Sequence, residues 1–486
     1  MEENYLKEKV LSSFIWRFAE KFGAQIVSFV VSVILARLID PSEYGTIALV
    51  LVFTNILQVF IDGGLGNALI QKKDADEVDF STVFFYNLVM CFGLYVLMFF
   101  GAPLIAQFYN NDRLVLVIRV LSLALVISGF KNIQKAYITK KMQFKTLFFA
   151  TLGGTIGSAV LGIIMAYCGY GIWALVAQIL FNDAVDAIII WFTVDWRPKL
   201  LFSFERMKSL FSYGGKLLLS SLVDTLYNNL TQLLVGTLYT SADLAYYNKG
   251  KQFPQLIISN INSSIDTVLL PAMSVVQDEK KRVKAMTQRA ISVNSYIIWP
   301  MMVGLAVIAE PLVSIILTDK WLACVPYMRV FCLTLVFYPI HTANLNAMKA
   351  LGRSDLFLGL SIIKKIIGVL ILAIAVRFGV FAMAMAGLIS SVIETFINAY
   401  PNCKLLGYTY WEQMKDVVPS ALLAIGMGGV IYLLKYLMLN NLITLIVQVV
   451  VGGIIYIFGS MVFKFDNLGY LWSIVKKIRK KENENE

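Results

Sequence analysis

Apolar runs of bilayer length recur from residue 14 to residue 463 of this 486-residue chain, and that recurrence restricts the fold more than any motif does. A helix rising 1.5 Å per residue needs roughly 20 apolar residues to cross a hydrocarbon layer about 30 Å thick. About fourteen such spans can be placed, with the seventh at residues 211–239, the eighth at 246–275 and the last at 441–463. No polar segment between them is long enough to fold on its own. Hydrophobic residues make up 58% of the chain and charged ones 15%, and the mean hydropathy of +0.72 excludes a soluble globular protein. Lipid offers no hydrogen bonds to irregular backbone, so the expected class is an all-α integral membrane protein.

The helical hairpin near the start of the chain is written twice. Two apolar runs, Phe22 to Leu38 and Tyr44 to Ile61, are split by Ile39-Asp40-Pro41-Ser42-Glu43 and closed by Asp62-Gly63-Gly64-Leu65. A shift of 200 residues sets Leu38 on Leu238, Glu43 on Asp243, Gly63-Gly64 on Ser263-Ser264 and Leu69 on Leu269. Two related halves follow from such a repeat, and an even number of helices per half gives both the same orientation, as parallel repeats. The expected organisation is a six-helix lobe over 1–194, an amphipathic linker on the membrane surface over 195–210, a second six-helix lobe over 211–404, an additional helix pair over 405–464 and a basic tail over 465–486.

Most of the 42 Lys and Arg fall at alternate helix ends, among them Lys131, Lys135, Lys140 and Lys141, so the net charge of +11 reads as the positive-inside signature and not as a nucleic-acid surface. It places both termini in the cytoplasm. No small-residue cleavage site follows the first apolar run, so that helix is expected to stay on the protein. Five scattered cysteines offer neither a disulfide framework nor metal-ligand spacing.

Ionisable and amide side chains within the spans are the functional candidates, because hydrocarbon penalises them. The first helix carries Arg17, Glu20, Lys21 and Gln25, with Glu20 and Lys21 as a candidate local pair. Asp183 and Asp186 lie three apart on one face of the sixth span, about 18 Å from its outer end, where they can bind a coupling H⁺ or Na⁺ or make helix contacts. The seventh and eighth spans offer Asp224, Asn228 and Asn229, and Lys249, Lys251, Asn260 and Asn262, as the lining of a polar cleft. Lys364 and Lys365 sit about 12 Å into the eleventh span and need an anion or a carboxylate, for which Glu394 of the twelfth is the candidate. The lone histidine, His341, makes no triad or metal site, and Asp62 reads as a cap on the glycine break.

The chain has no G-x-x-x-x-G-K-[ST] phosphate loop and no external segment long enough for a catalytic domain, so neither direct ATP drive nor an enzyme is expected. Leu35-Ala36-Arg37-Leu38-Ile39-Asp40-Pro41-Ser42-Glu43-Tyr44-Gly45, then Gly64-Leu65-Gly66-Asn67-Ala68-Leu69-Ile70-Gln71, then Lys141-Met142-Gln143-Phe144-Lys145, resemble the polysaccharide transporter (Wzx-type flippase) branch of the multidrug/oligosaccharidyl-lipid/polysaccharide exporter superfamily. The colanic acid and teichuronic acid exporter group is the nearest in pattern. The resemblance implies two six-helix lobes and a bacterial inner-membrane flippase that carries an undecaprenyl-diphosphate-linked oligosaccharide outward by alternating access. It implies H⁺ or Na⁺ as the coupling ion, no other cofactor, and membrane lipid and other polysaccharide assembly proteins as partners. Cationic cleft residues of such proteins carry over to Arg17, Lys21, Lys249 and Lys251 here. A cation-coupled multidrug exporter of the same superfamily and a membrane glycan polymerase are the alternatives.

Overall fold

The fold is taken from a computed structural model, which describes the backbone of residues 2–62, 64–437, 440–473 and 476, and their side chains except those of 2–15, 213, 263, 264 and 437. Helix dominates, and no strand occurs among the described residues. In chain order the helices are α1 (Glu2–Leu38), α2 (Pro41–Asp62), α3 (Leu65–Gln71), α4 (Glu77–Phe108), α5 (Arg113–Leu121), α6 (Leu123–Lys141), α7 (Phe144–Tyr167), α8 (Ile172–Thr193) and α9 (Phe204–Leu238). There follow α10 (Ser241–Val275), α11 (Lys280–Leu317), α12 (Val325–Leu335), α13 (Tyr338–Ala350), α14 (Ser354–Ala375), α15 (Val380–Leu406), α16 (Tyr410–Leu433) and α17 (Asn441–Val462).

Joined across short breaks, these elements supply 13 spans that are long and apolar enough to cross a membrane. The fourteenth expected span is α9, a 35-residue helix that is present but too polar to meet the same criterion. Its Lys216, Asp224, Asn228, Asn229 and Gln232 lower its hydropathy without shortening it.

The element order repeats. The turn after α1 follows Leu38 and the turn after α9 follows Leu238; α2 opens at Pro41 and α10 at Ser241. Each half then has a long helix, a span broken into two helices (α5 and α6, or α12 and α13), and two further helices. The copies differ at the glycine break, since α2 stops at Asp62 while α10 runs on through residues 263 and 264. Residue 63 itself lies outside the described residues, as does most of the expected basic tail.

By its contacts the chain divides into two compact units, Met1–Ala245 and Tyr246–Glu486. α9 therefore goes with the first unit, although the repeat pattern starts the second half with it. Close backbone approach along α2 is the reason. A methyl group added at Gly64 would lie 2.5 Å from the carbonyl oxygen of Gly214, and one at Gly236 would lie 1.9 Å from Leu49 Cδ2. The two contacts run in opposite order along the two helices, so α2 and α9 are antiparallel.

The segment before α9 is an extended strap over residues 194–203, with Leu200, Leu201 and Phe202 exposed and contacts made to α4 and α6. Trp196 is buried against Phe80 and Phe84 and stacks on Tyr137 with ring centroids 5.9 Å apart. The backbone N–H groups of Lys199 and Ser203 donate to Ser81 Oγ and Thr82 Oγ1, each at 3.1 Å. Arg206, in the first turn of α9, meets Asp76 at 2.5 Å. Asp76 caps α4 in a reciprocal box with Asp79, and the Asp79 backbone N–H together with Arg206 holds the Asp76 carboxyl below the usual carboxylate range. The strap thus fastens the start of α9 to the N-terminal end of α4.

In the second unit α16 and α17 pack on α11. Tyr296 donates to Ser460 Oγ at 2.8 Å, and Tyr456 donates to the Tyr296 carbonyl at 2.9 Å. A buried amide network ties α13, α15 and α16. Asn344 Nδ2 donates to Gln413 Oε1 at 2.7 Å, and Asn402 Nδ2 donates to Asn344 Oδ1 at 2.7 Å. In a medium without water, such cross-helix bonds are the available partners for these groups.

Two predictions follow from these contacts. Gly64→Ala or Gly214→Ala should destabilise the protein by about 1–3 kcal/mol through overpacking, read as a lower Tm in detergent. Gly429→Ala, where nothing lies within 4 Å, should be neutral or slightly stabilising. Trp196→Ala empties a buried aromatic site and should cost about 3–5 kcal/mol, with faster proteolytic cleavage within residues 194–203; a cleavage rate equal to that of the wild type would show that the strap is held by something else.

Candidate functional site

Three helices of the first unit each carry a polar stripe in an otherwise apolar sequence, and the stripes face one pocket of about 360 Å³. α2 contributes Asn55, Gln58 and Asp62, spaced three and four residues apart and so on one face. α6 contributes Ser128, Lys131, Asn132 and Lys135 at the same helical spacing. α8 contributes Asp183, with Asp186 one turn further on.

Charges in this pocket are paired across helices. Lys131 is buried and bridges both carboxylates, donating to Asp183 Oδ1 and, at 3.2 Å, to Asp186 Oδ2. Lys135 donates to Asp186 Oδ2 at 2.6 Å. The remaining oxygen of Asp186 is buried without a hydrogen bond among the described residues. Asp62 accepts from Gln58 Nε2 at 3.1 Å, and Asn132 Nδ2 donates to the Ile61 carbonyl at 2.9 Å, which completes the end of α2. Breaking one partner of such a buried ion pair costs about 3–5 kcal/mol, because the other is left uncompensated. The cluster therefore fixes α6 against α8.

Two sequence expectations change here. Lys131 and Lys135 read as charges at a helix end, yet α6 continues to Lys141 and carries both into the pocket. Asp62 read as a cap on the glycine break, whose residue 63 lies outside the described residues; its carboxylate is exposed and lines the pocket. The signal that finds this site is the polar spacing 55, 58, 62 and 128, 131, 132, 135, which becomes visible once each span is read for its polar face.

The other candidates fall elsewhere. On α1, Arg17 pairs with Glu20 at 2.5 Å and Thr151 also donates to Glu20, while Lys21 and Gln25 make no ion pair among the described residues. Glu20 takes Arg17 and not Lys21 because residues three apart share a helix face and adjacent residues do not. On α9, Asp224 and Asn228 are exposed, and Asn229 bonds back to the Thr225 carbonyl at 2.8 Å.

In the second unit, Lys249 is buried with its ammonium 5.6 Å from the centre of the Trp321 ring, a cation–π contact. Lys251 is half-buried and forms no ion pair among the described residues. Asn260 bonds back to the Leu256 carbonyl at 2.8 Å, and Asn262 is buried with neither side-chain polar atom hydrogen-bonded among the described residues. Glu394 lies within Coulombic reach of Lys364, which is followed by the half-buried Lys365. His341 is buried between Asn398 Nδ2 at 2.9 Å and Ser391 Oγ at 3.3 Å, a hydrogen-bonded packing role. No group of three or more His, Cys, Asp or Glu suited to a metal ion occurs among the described residues.

The family model described as "Polysaccharide biosynthesis protein" matches residues 34–326, more than half of the chain. The chain is similar to the teichuronic acid biosynthesis protein TuaB of Bacillus subtilis, with 24% identity over 93% of this chain and 95% of that protein. Among solved structures it resembles the lipid II flippase MurJ in an inward closed conformation, with a TM-score of 0.78 and 17% identity over 94% of this chain and 100% of the other. An inward-facing multidrug resistance transporter of the MATE family gives a TM-score of 0.60 and 15% identity over 81% and 95%. At such identities the structures establish the fold alone. The chain is thus a multi-pass membrane protein of the polysaccharide biosynthesis protein family.

Proposed function

We propose that this protein is a lipid-linked oligosaccharide flippase that moves an undecaprenyl-diphosphate-linked repeat unit from the cytoplasmic to the outer leaflet of the inner membrane by alternating access, with both termini in the cytoplasm. The observation that carries this reading is a hydrogen-bonding pocket set inside a membrane-embedded unit of a family devoted to polysaccharide biosynthesis. A glycan needs polar walls to cross a hydrocarbon layer, and the prenyl chain needs only lipid.

Six cations are proposed contacts for the diphosphate: Arg17, Lys21, Lys249, Lys251, Lys364 and Lys365. Their surroundings rank them. Arg17 is engaged by Glu20, Lys249 by Trp321 and Lys364 by Glu394. Lys21 and Lys251 form no ion pair among the described residues and lead the set. Coupling to H⁺ or Na⁺ is part of the proposal, with Asp183, Asp186 and Glu394 as candidates. Lys131 and Lys135 already neutralise the first two, so a coupling cation there has to displace an ammonium group. A cation-coupled drug exporter shares the fold, but the amide and hydroxyl groups of the pocket wall suit a hydroxylated cargo.

Deleting the gene should cause completed lipid-linked repeat units to accumulate on the cytoplasmic leaflet, measured by lipid extraction with sidedness labelling. Normal intermediates and normal surface glycan, in a genome without a second flippase, would sink the proposal. Lys21→Gln with Lys251→Gln should lower export by roughly ten- to a hundredfold, the equivalent of losing about 1.5–3 kcal/mol of charge-assisted hydrogen bonding. Arginine at the same positions should retain part of it.

A further inference from the structure

The charge balance of the pocket between α2, α6 and α8 is at odds with a phosphate site. Its charged walls are Asp62, Lys131, Lys135 and Asp183, which cancel, and Asp186 behind them brings the group to a net single negative charge. Both ammonium groups are committed to carboxylates. A diphosphate entering here would meet carboxylates with no uncommitted cation to offset them, and in a low-dielectric setting that repulsion is strong.

What the walls still offer is hydrogen bonding without net charge. Asn55 and Asp62 are exposed and Gln58 stands between them, one turn from each, so α2 presents amide donors and acceptors and a carboxylate acceptor in a row. Ser128 and Asn132 face them from α6. Donors and acceptors set among mutually paired charges are complementary to the hydroxyl groups of a sugar, each of which both gives and takes a hydrogen bond. The volume equals that of about twelve waters at ~30 Å³ each, enough for one pyranose ring. No phenylalanine, tyrosine or tryptophan lines the pocket, so recognition would come from the polar groups alone.

We propose that this pocket is a subsite for one uncharged sugar residue of the transported glycan, separate from the cations that hold the diphosphate. Asn55 and Gln58 are its specificity-determining side chains, and the Lys131 cluster is positioning machinery that holds α6 against α8. The proposal rests on the flippase reading and names which part of the cargo the first unit grips.

The test compares two probes on the purified full-length protein in nanodiscs: the lipid-linked glycan extracted from the deletion strain, and bare undecaprenyl diphosphate. The wild type should bind the glycosylated lipid about tenfold more tightly. Asn55→Leu with Gln58→Leu should erase that preference while leaving affinity for the bare lipid unchanged, which also shows that the variant is folded. Asn55→Leu alone, at an exposed position, should erase part of it. A preference that survives in both variants, or a wild type that binds the two lipids equally, overturns the sugar subsite and leaves the flippase reading standing. A wild type that binds neither lipid overturns both.

Discussion

Lipid cannot hydrogen-bond, so every polar group that this chain carries into the bilayer has to find its partner within the protein. The ion cluster of Lys131, Lys135, Asp183 and Asp186 is the strongest expression of that constraint. Two acidic side chains on α8 and two basic ones on α6 are each prohibitive alone, and together they lock two helices in register. The amide network of Asn344, Asn402 and Gln413 solves the same problem in the second unit with neutral groups. In both places the polar residues specify which helices meet, a task that interchangeable apolar surfaces perform poorly in lipid.

A repeated order of helices has thus been furnished with two different interiors. The first copy keeps a glycine break after α2 that lets the backbone of α9 approach, and it holds a charged, hydrogen-bonding pocket. The second copy runs α10 through the equivalent position as continuous helix and packs Lys249 against Trp321. The strap over residues 194–203 lies between the copies in sequence, yet it belongs structurally to the first, because Phe80, Phe84 and Tyr137 hold its Trp196 and Ser81 and Thr82 accept from its backbone.

For a flippase, this division of labour separates two recognition problems. A diphosphate requires cations that are not already neutralised, and among the described residues Lys21 and Lys251 form no ion pair. A glycan requires closely spaced donors and acceptors with little net charge, and the α2, α6 and α8 pocket supplies them. The paired lysines of the pocket contribute to its shape more than to its potential, since each field is cancelled by a neighbouring carboxylate.

Much of the fold was legible in the sequence, because a membrane leaves few choices. Hydropathy and length place the spans within a few residues, and the 200-residue offset of the hairpin reappears in the ends of α1 and α9 and the starts of α2 and α10. Asp183 and Asp186 were recognisable as a pair from their spacing alone. Their partners were not, because Lys131 and Lys135 lie about 50 residues away and look like ordinary helix-end charges until α6 is seen to extend past them. Spacing along a helix determines which side chains share a face. Which faces meet depends on how helices pack, and only the tertiary structure decided that Asn55, Gln58 and Asp62 would look across at Lys131 and Asp183, that Glu20 would take Arg17, and that α9 would lie along α2 where two glycines permit it.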